Sequence, residues 1–193
     1  MTGMQLRGSV LPDLPLLVVA LDEEAARLDG RLPVLITGPG KVCAATAVAS
    51  TLAASRPSAV INIGTAGALR SGVDGIHDVG TVIQHDFDDE AIAALLGRSY
   101  GAPIELRGDG AGLVLATGDR FVSGGDLRDR LAGHADLVDM EGYAVAAAAR
   151  AAGVPVRLVK LVSDEADEDA GATWASTVAD HARTLADWVL AHL

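Results

Sequence analysis

The sequence predicts an α/β fold, because short apolar runs alternate with longer alanine-rich segments along most of the chain. Six runs have the length and composition of buried strands: 16–20, 34–37, 59–63, 80–83, 113–116 and 156–162. Helix-like segments lie between several of them and at the end: 42–54, 126–132, 140–152 and 173–192. In an α/β domain such helices cover a central sheet.

Turn-forming residues separate these elements. Pro57 ends the first long helix, because proline has no amide donor and disfavours a helical residue before it. Gly153-Val154-Pro155 ends the alanine-rich helix, and the stretches 70–78 and 98–112 are typical of loops. The final helix carries an apolar stripe that we expect to pack against the sheet. Its members are Trp174, Val178, Leu185, Trp188 and Val189.

Composition limits the classes of function. The chain has 193 residues, half of them hydrophobic, which suits one domain over 1–193. The formal net charge of −11, without a Lys/Arg cluster, argues against nucleic acid and anionic membranes as partners. The apolar run 14–21 is too short to span a bilayer and has no preceding basic segment, and Cys43 has no second cysteine to pair with. We therefore expect a cytoplasmic protein.

Five segments place polar or small residues where predicted elements begin or end, and ligands of open α/β sheets bind beyond the carboxyl ends of strands. Each segment also has an ordinary structural explanation: helix capping, a tight turn, a core ring, a complement to the helix dipole, or a solvated loop. From the residues alone these alternatives stay open. The segments are Leu21-Asp22-Glu23-Glu24, Gly64-Thr65-Ala66-Gly67, Gly118-Asp119-Arg120-Phe121-Val122, Asp139-Met140-Glu141 and Ser163-Asp164.

Two further segments suggest a phosphate loop and a metal site, and neither pattern is complete. In Thr37-Gly38-Pro39-Gly40-Lys41 the glycine that a Walker loop requires is replaced by Leu35, and Val42 stands where a hydroxyl residue is needed. His85-Asp86-Phe87-Asp88-Asp89 is dense in possible ligands, but no second cluster with recognisable spacing accompanies it. We expect neither a metal nor a cofactor.

In this order, the segments resemble those of the nucleoside phosphorylase and nucleosidase superfamily, and within it the methylthioadenosine/S-adenosylhomocysteine nucleosidases. The resemblance runs from about residue 16 to the C-terminus. It implies a three-layer α/β/α sandwich with a mixed central sheet and hydrolysis of the N-glycosidic bond of a purine nucleoside. The released base is expected to be adenine, and a homodimer is expected, with the neighbouring subunit completing the pocket.

The resemblance also implies roles for individual residues. Glu24 holds and deprotonates the attacking water, and Asp164 protonates the leaving purine. Small and polar residues line the ribose, and an aromatic ring stacks on the base. In the matched motifs these substrate-binding residues are Thr65, Ala66, Gly67, Phe121, Val122, Met140, Glu141 and Ser163.

The acidic residues favour water over phosphate as the nucleophile. A phosphorylase must hold a phosphate dianion with cationic side chains, whereas this chain has an acidic run after the first strand and Asn62 before the Gly-Thr motif. Arg27 and Arg70 are near in sequence and keep a phosphate-dependent purine nucleoside phosphorylase as an alternative. A futalosine-type hydrolase and a non-enzymatic nucleoside-binding protein are further alternatives. The region Gly80–Leu115 is shorter than in typical nucleosidases, which leaves the 5′ substituent open.

Overall fold

The computed structural model describes residues 4–28, 30–108 and 111–193 of the chain. Within them lie nine strands, five α-helices and a short 3₁₀ helix at Glu24–Arg27. The strands are β1 (Gln5–Arg7), β2 (Leu16–Val19), β3 (Val34–Ile36), β4 (Val60–Ala68), β5 (Ile76–Gln84), β6 (Ile104–Glu105), β7 (Leu113–Thr117), β8 (Leu137–Asp139) and β9 (Val156–Asp164). The helices are α1 (Lys41–Ala54), α2 (Asp89–Leu96), α3 (Gly125–Ala132), α4 (Gly142–Ala151) and α5 (Ala170–His192).

The strands form one mixed sheet in the order β1-β3-β2-β4-β8-β7-β5-β6, and β9 pairs with both β4 and β5. Strand β4 runs parallel to β2 and β9 and antiparallel to β8. Because β9 also pairs antiparallel with β5, the strands β4, β8, β7, β5 and β9 close into a ring. The register of β4 against β9 shifts between Ala66 and Gly67, where the pairing of β4 with β8 also begins.

Helices cover both faces of the sheet. Successive side chains of a strand point to opposite faces, and the four buried residues of β2 divide accordingly. Leu16 and Val18 pack in a cluster with residues of α1 and α4. Leu17 and Val19 pack in a second cluster, which includes Val189 of α5. The predicted α/β/α sandwich with a mixed sheet is therefore confirmed.

All six predicted strands and all four predicted helices are present, with ends that differ by a few residues. The prediction was wrong where elements are short: β1, β6, β8 and α2 were not identified. Strand β6 lies inside the stretch 98–112 that was predicted as a loop, of which 109 and 110 are outside the described residues. Strand β5 begins at Ile76, inside the other predicted loop. Among the described helices, none combines the length and hydrophobicity that crossing a bilayer requires.

Candidate active site

One cleft lies where the carboxyl ends of β2, β7, β8 and β9 meet the second half of β4. Its volume is about 220 Å³. All ten predicted site residues line it, and they come from five separate parts of the chain. They are Glu24, Thr65, Ala66, Gly67, Phe121, Val122, Met140, Glu141, Ser163 and Asp164.

Glu24 opens the 3₁₀ helix that follows β2, and only 4% of it is exposed. Its Oε1 atom accepts hydrogen bonds from the Thr65 amide (2.9 Å) and from the Thr65 hydroxyl (3.1 Å). Its Oε2 atom accepts one from the Leu21 amide at 3.3 Å. The neighbouring Asp22 does not share this environment, because it is exposed and pairs with Arg7 at 2.6 Å. Hydrogen bonds from three donors fix the orientation of the Glu24 carboxylate within the cleft.

Asp164 is the last residue of β9, and its carboxylate is also held by local donors. Oδ2 accepts from the Ser163 hydroxyl at 2.7 Å, and Oδ1 accepts from the Ala166 amide at 2.9 Å. Ala166 is fully buried and adopts the left-handed region with φ of 50°, which non-glycine residues rarely occupy. This turn directs the Asp164 carboxylate back into the cleft that Glu24 also lines.

Glu141 is 9% exposed and is the N-cap residue of α4. Its Oε1 atom accepts a 2.7 Å hydrogen bond from the Gly40 amide, at the start of α1. The turn at Gly38–Gly40 therefore forms part of the site without having a phosphate loop sequence. Burial and the nearby negative charge of Asp139 raise the pKa of Glu141 to about 7.

A buried ion pair lies behind Glu141. The Lys160 ammonium, 1% exposed on β9, is 2.8 Å from Oδ2 of Asp139. Asp139 also accepts from the Thr117 hydroxyl at 2.5 Å and from the Gly142 amide at 2.8 Å. Burial alone would lower the pKa of Lys160, but the carboxylates of Asp139 and Glu141 raise it above the ordinary value. Lys160 thus stays charged and compensates for the carboxylates around it.

The mouth of the cleft has a different character. The Phe121 ring is 54% exposed and stands beside the buried Val122 after β7. An exposed ring at a cleft is available to stack on a flat ligand. Arg120 is exposed and also lines the cleft. Met140 adds apolar surface to the same lining.

Sequence comparison identifies related proteins that align with most of the chain. Residues 112–191 match the family model described as the phosphorylase superfamily. The 5′-methylthioadenosine/S-adenosylhomocysteine nucleosidase of Geobacillus kaustophilus is 32% identical over 86% of this chain and 81% of its own length. The chain belongs to the 5′-methylthioadenosine/S-adenosylhomocysteine nucleosidase family. Members of this family are N-glycosyl hydrolases, so the predicted enzyme class is confirmed.

Solved structures agree with this family assignment. The MTA/SAH nucleosidase of Streptococcus pneumoniae, crystallised with 8-aminoadenine, has a TM-score of 0.77 at 26% identity. The comparison covers 92% of this chain and 96% of that one. The futalosine hydrolase of Helicobacter pylori has a TM-score of 0.78 at 22% identity, over 92% of this chain and 95% of that one. The second likeness shows the shared fold alone.

Other residues at the nucleosidase cleft were not predicted as site residues. Trp174 lines the cleft, although its spacing on the final helix suggested only an apolar stripe. Lys160 was not identified, yet a lysine inside the apolar run 156–162 is itself a signal, because an unpaired charge is seldom buried. Asp139, to which the sequence assigned no role of its own, pairs with Lys160.

Residues that suggested a phosphate loop, a metal site or a phosphate-binding pocket have other positions in this nucleosidase fold. Asp86 pairs with the Lys41 ammonium at 2.5 Å and accepts from the Asp119 amide at 2.7 Å. Among the described residues no group of three His, Cys, Asp or Glu side chains is arranged to hold a metal. Arg70 pairs with Asp136 at 2.9 Å, and neither Arg70 nor Arg27 lines the cleft.

Proposed function

We propose that this enzyme hydrolyses the N-glycosidic bond of an adenine nucleoside with a 5′-thioether, such as 5′-methylthioadenosine or S-adenosylhomocysteine. The observation that carries the proposal is that Glu24 and Asp164 line the same cleft, at whose mouth the Phe121 ring is exposed. The names of the relatives supply the substrate class. The proposal treats residues 1–193 as a single catalytic domain of a cytoplasmic enzyme.

In the proposed reaction the C1′–N9 bond lengthens and the sugar becomes oxocarbenium-like. Asp164 donates a proton to N7 of the purine, so that the bonding electrons leave with a neutral base. Glu24 accepts a proton from water as the water oxygen bonds to C1′. The products are free adenine and a 5′-substituted ribose.

The remaining residues are proposed to bind and orient the nucleoside. Glu141 accepts hydrogen bonds from the ribose hydroxyls, and its negative charge stabilises the positive charge that develops on the sugar. Met140 packs against the sugar and Phe121 stacks on the base, whose edge meets the backbone of Val122. Thr65, Ala66 and Gly67 form the ribose and water side, and Ser163 orients Asp164.

The charges at the cleft support water as the nucleophile. Glu24, Asp139 and Glu141 line it together with Asp164, the proton donor, and the ionised carboxylates repel a phosphate dianion. Arg120 lies at the exposed mouth, and the buried Lys160 is engaged by Asp139. A phosphorylase needs cations beside C1′, and this pattern does not favour one.

The test is release of adenine from 5′-methylthioadenosine, measured with and without inorganic phosphate. We expect the same rate in both and a free sugar as product. Asp164→Asn should lower kcat by about 10²- to 10⁴-fold, because the base then lacks its proton donor. Asp167→Asn, an exposed aspartate three residues away, is the matched control and should leave kcat unchanged.

Two results would contradict the proposal. Strict dependence on phosphate, with a sugar 1-phosphate as product, would indicate a phosphorylase. Nucleoside binding without turnover, equal in the wild type and Asp164→Asn, would indicate a binding protein. Including futalosine and plain adenosine in the substrate panel would define the 5′ substituent.

We also propose a homodimer that forms through the face of α1 and α4. These helices line a shallow groove whose apolar part consists of alanines and Val42, which is 75% exposed, and whose polar part includes Lys41 and Asp119. Ala45 and Ala49 of α1 line it together with Ala147 and Ala148 of α4. Small residues allow the backbone of a second copy to approach closely, which supports this surface as the contact.

A further inference from the structure

A chain of hydrogen bonds links α5 to the carboxylate of Glu24. The indole Nε1 of Trp174 donates to the Thr65 hydroxyl at 3.1 Å, and that hydroxyl donates to Oε1 of Glu24 at 3.1 Å. The three residues lie far apart in sequence and all line the cleft. From this geometry we propose that Trp174 is a positioning residue for hydrolysis, which acts on Glu24 through the Thr65 hydroxyl. The inference rests on the proposed role of Glu24.

The direction of these hydrogen bonds follows from the chemistry of the three groups. An indole N–H can only donate, whereas a threonine hydroxyl has one proton to donate and lone pairs that accept. Because Trp174 occupies a lone pair of the hydroxyl, the single hydroxyl proton is left to point at Glu24. An ionised carboxylate can only accept, so each member of the chain has the partner it requires.

The indole therefore orders a hydroxyl that would otherwise rotate. Glu24 keeps its hydrogen bonds to the Thr65 and Leu21 amides whatever the hydroxyl does. These amides belong to the backbone, so the Thr65 hydroxyl is the only one of the three donors whose direction a side chain controls. Without the indole, the hydroxyl can turn its proton toward water or substrate and leave Oε1 with one fewer donor.

Trp174 is therefore expected to affect turnover more than binding. Trp174→Phe keeps an aromatic ring at the cleft and removes only the N–H donor. We expect it to lower kcat about three- to tenfold, the value of one neutral hydrogen bond, with KM for 5′-methylthioadenosine changed less than about twofold. The control is Trp188→Phe, which alters the other tryptophan, stacked on Arg157 and away from the cleft.

A double-mutant cycle separates this role from simple packing. Thr65→Val removes the hydroxyl and retains the shape and the amide. If the indole acts through that hydroxyl, Trp174→Phe should lower kcat in the wild type and have no further effect in Thr65→Val. Circular dichroism confirms the fold of each variant first. An equal loss of kcat in both backgrounds, or no loss in either, would overturn the inference.

A spectroscopic measurement tests the hydrogen bond without turnover. The chain has two tryptophans, so ¹⁵N-labelled protein should give two indole N–H signals, and Trp188→Phe assigns them. Thr65→Val should shift the Trp174 signal and speed its exchange with solvent, while Thr65→Ser should preserve it. An unchanged signal in Thr65→Val contradicts the hydrogen bond from Trp174 to Thr65. If the wild type releases no base, the proposed function fails, and this spectrum still tests whether Trp174 donates to the Thr65 hydroxyl.

Discussion

Glu141 occupies the most strongly perturbed environment among the residues proposed to contact the substrate. It is buried, lies beside Asp139, and is compensated by Lys160 and by the Gly40 amide. Its pKa of about 7 means that both charge states are populated near neutrality. Breaking the buried pair behind it by removing Lys160 would leave uncompensated charges, which typically costs about 3–5 kcal/mol.

The first prediction concerns the pH dependence of substrate binding. Only ionised Glu141 is a full acceptor for ribose hydroxyls, so KM for 5′-methylthioadenosine should fall about tenfold between about pH 6 and about pH 8. Glu141→Gln should raise KM and remove this dependence. Glu105→Gln, an exposed glutamate on β6, serves as control and should retain it. A wild-type KM that is flat over this range would contradict the assignment.

The raised pKa of Glu141 also makes the free energy of unfolding fall as the pH rises. Because the folded pKa of about 7 lies above the ordinary glutamate pKa of 4.5, the folded protein binds more protons than the unfolded chain between these values. The contribution of Glu141 to the free energy of unfolding is therefore fully present below about pH 4.5 and is lost as pH rises through about 7. In urea unfolding, the free energy of unfolding of Glu141→Gln should decline less steeply with pH over this interval than that of the wild type.

At the scale of single elements, β4 determines how closely its neighbours approach. Gly67 follows the register shift of β4, and its Cα faces the end of β9. A Cβ at this position would lie 2.9 Å from Oδ1 of Asp164 and 3.0 Å from the Cβ of Ala166. The space for the Asp164 carboxylate thus depends on the absence of a side chain on β4.

Gly67→Ala is expected to displace Asp164 and to lower kcat about a hundredfold, since small misplacements of catalytic groups have large effects. The measurement is the rate of adenine release at saturating substrate. Gly108→Ala is the matched control, because a Cβ there meets nothing within 4 Å. Wild-type kcat in Gly67→Ala would mean that Asp164 adjusts freely or does not take part.

Elements also differ in how well their sequences predict them. The long apolar runs that became β4 and β9, and the alanine-rich α1 and α4, were identified because their patterns extend over several turns or residues. Strands β1, β6 and β8 have two or three residues each and include polar residues, whereas the equally short β3 was identified because all three of its residues are apolar. Helix α2 carries Ile92, Leu95 and Leu96 at helical spacing after the capping residue Asp88, and this short signal was missed.

For the whole molecule, the prediction concerns assembly through the α1–α4 face. In the proposed homodimer, Val42→Glu should place charges in the α1–α4 groove and separate the subunits. Sedimentation velocity should give the mass of two chains for the wild type and of one for the variant. Leu190→Glu, at a 49% exposed position on α5, is the control and should remain dimeric. A wild-type mass of one chain would contradict the proposal.

The sequence by itself determined the fold class, the family and which residues were candidates for the site. Apolar periodicity, helix-ending prolines and the order of the motifs are local properties of the chain, so they can be identified without coordinates. All ten candidate residues indeed line one cleft. Whether residues 21–24 only cap a helix was decided by the structure, in which the 3₁₀ helix has no side-chain cap and Glu24 lines the cleft.

Only the tertiary structure decided which distant groups touch. The closed ring of strands, the pairing of Lys160 with Asp139 and the contact of Trp174 with Thr65 join residues far apart in the chain. A pattern of three, four and seven residues places Trp174 on a helix face but does not specify its partner. Hydrogen bonds and buried charges depend on distances of a few ångströms across elements, and these distances are set by packing.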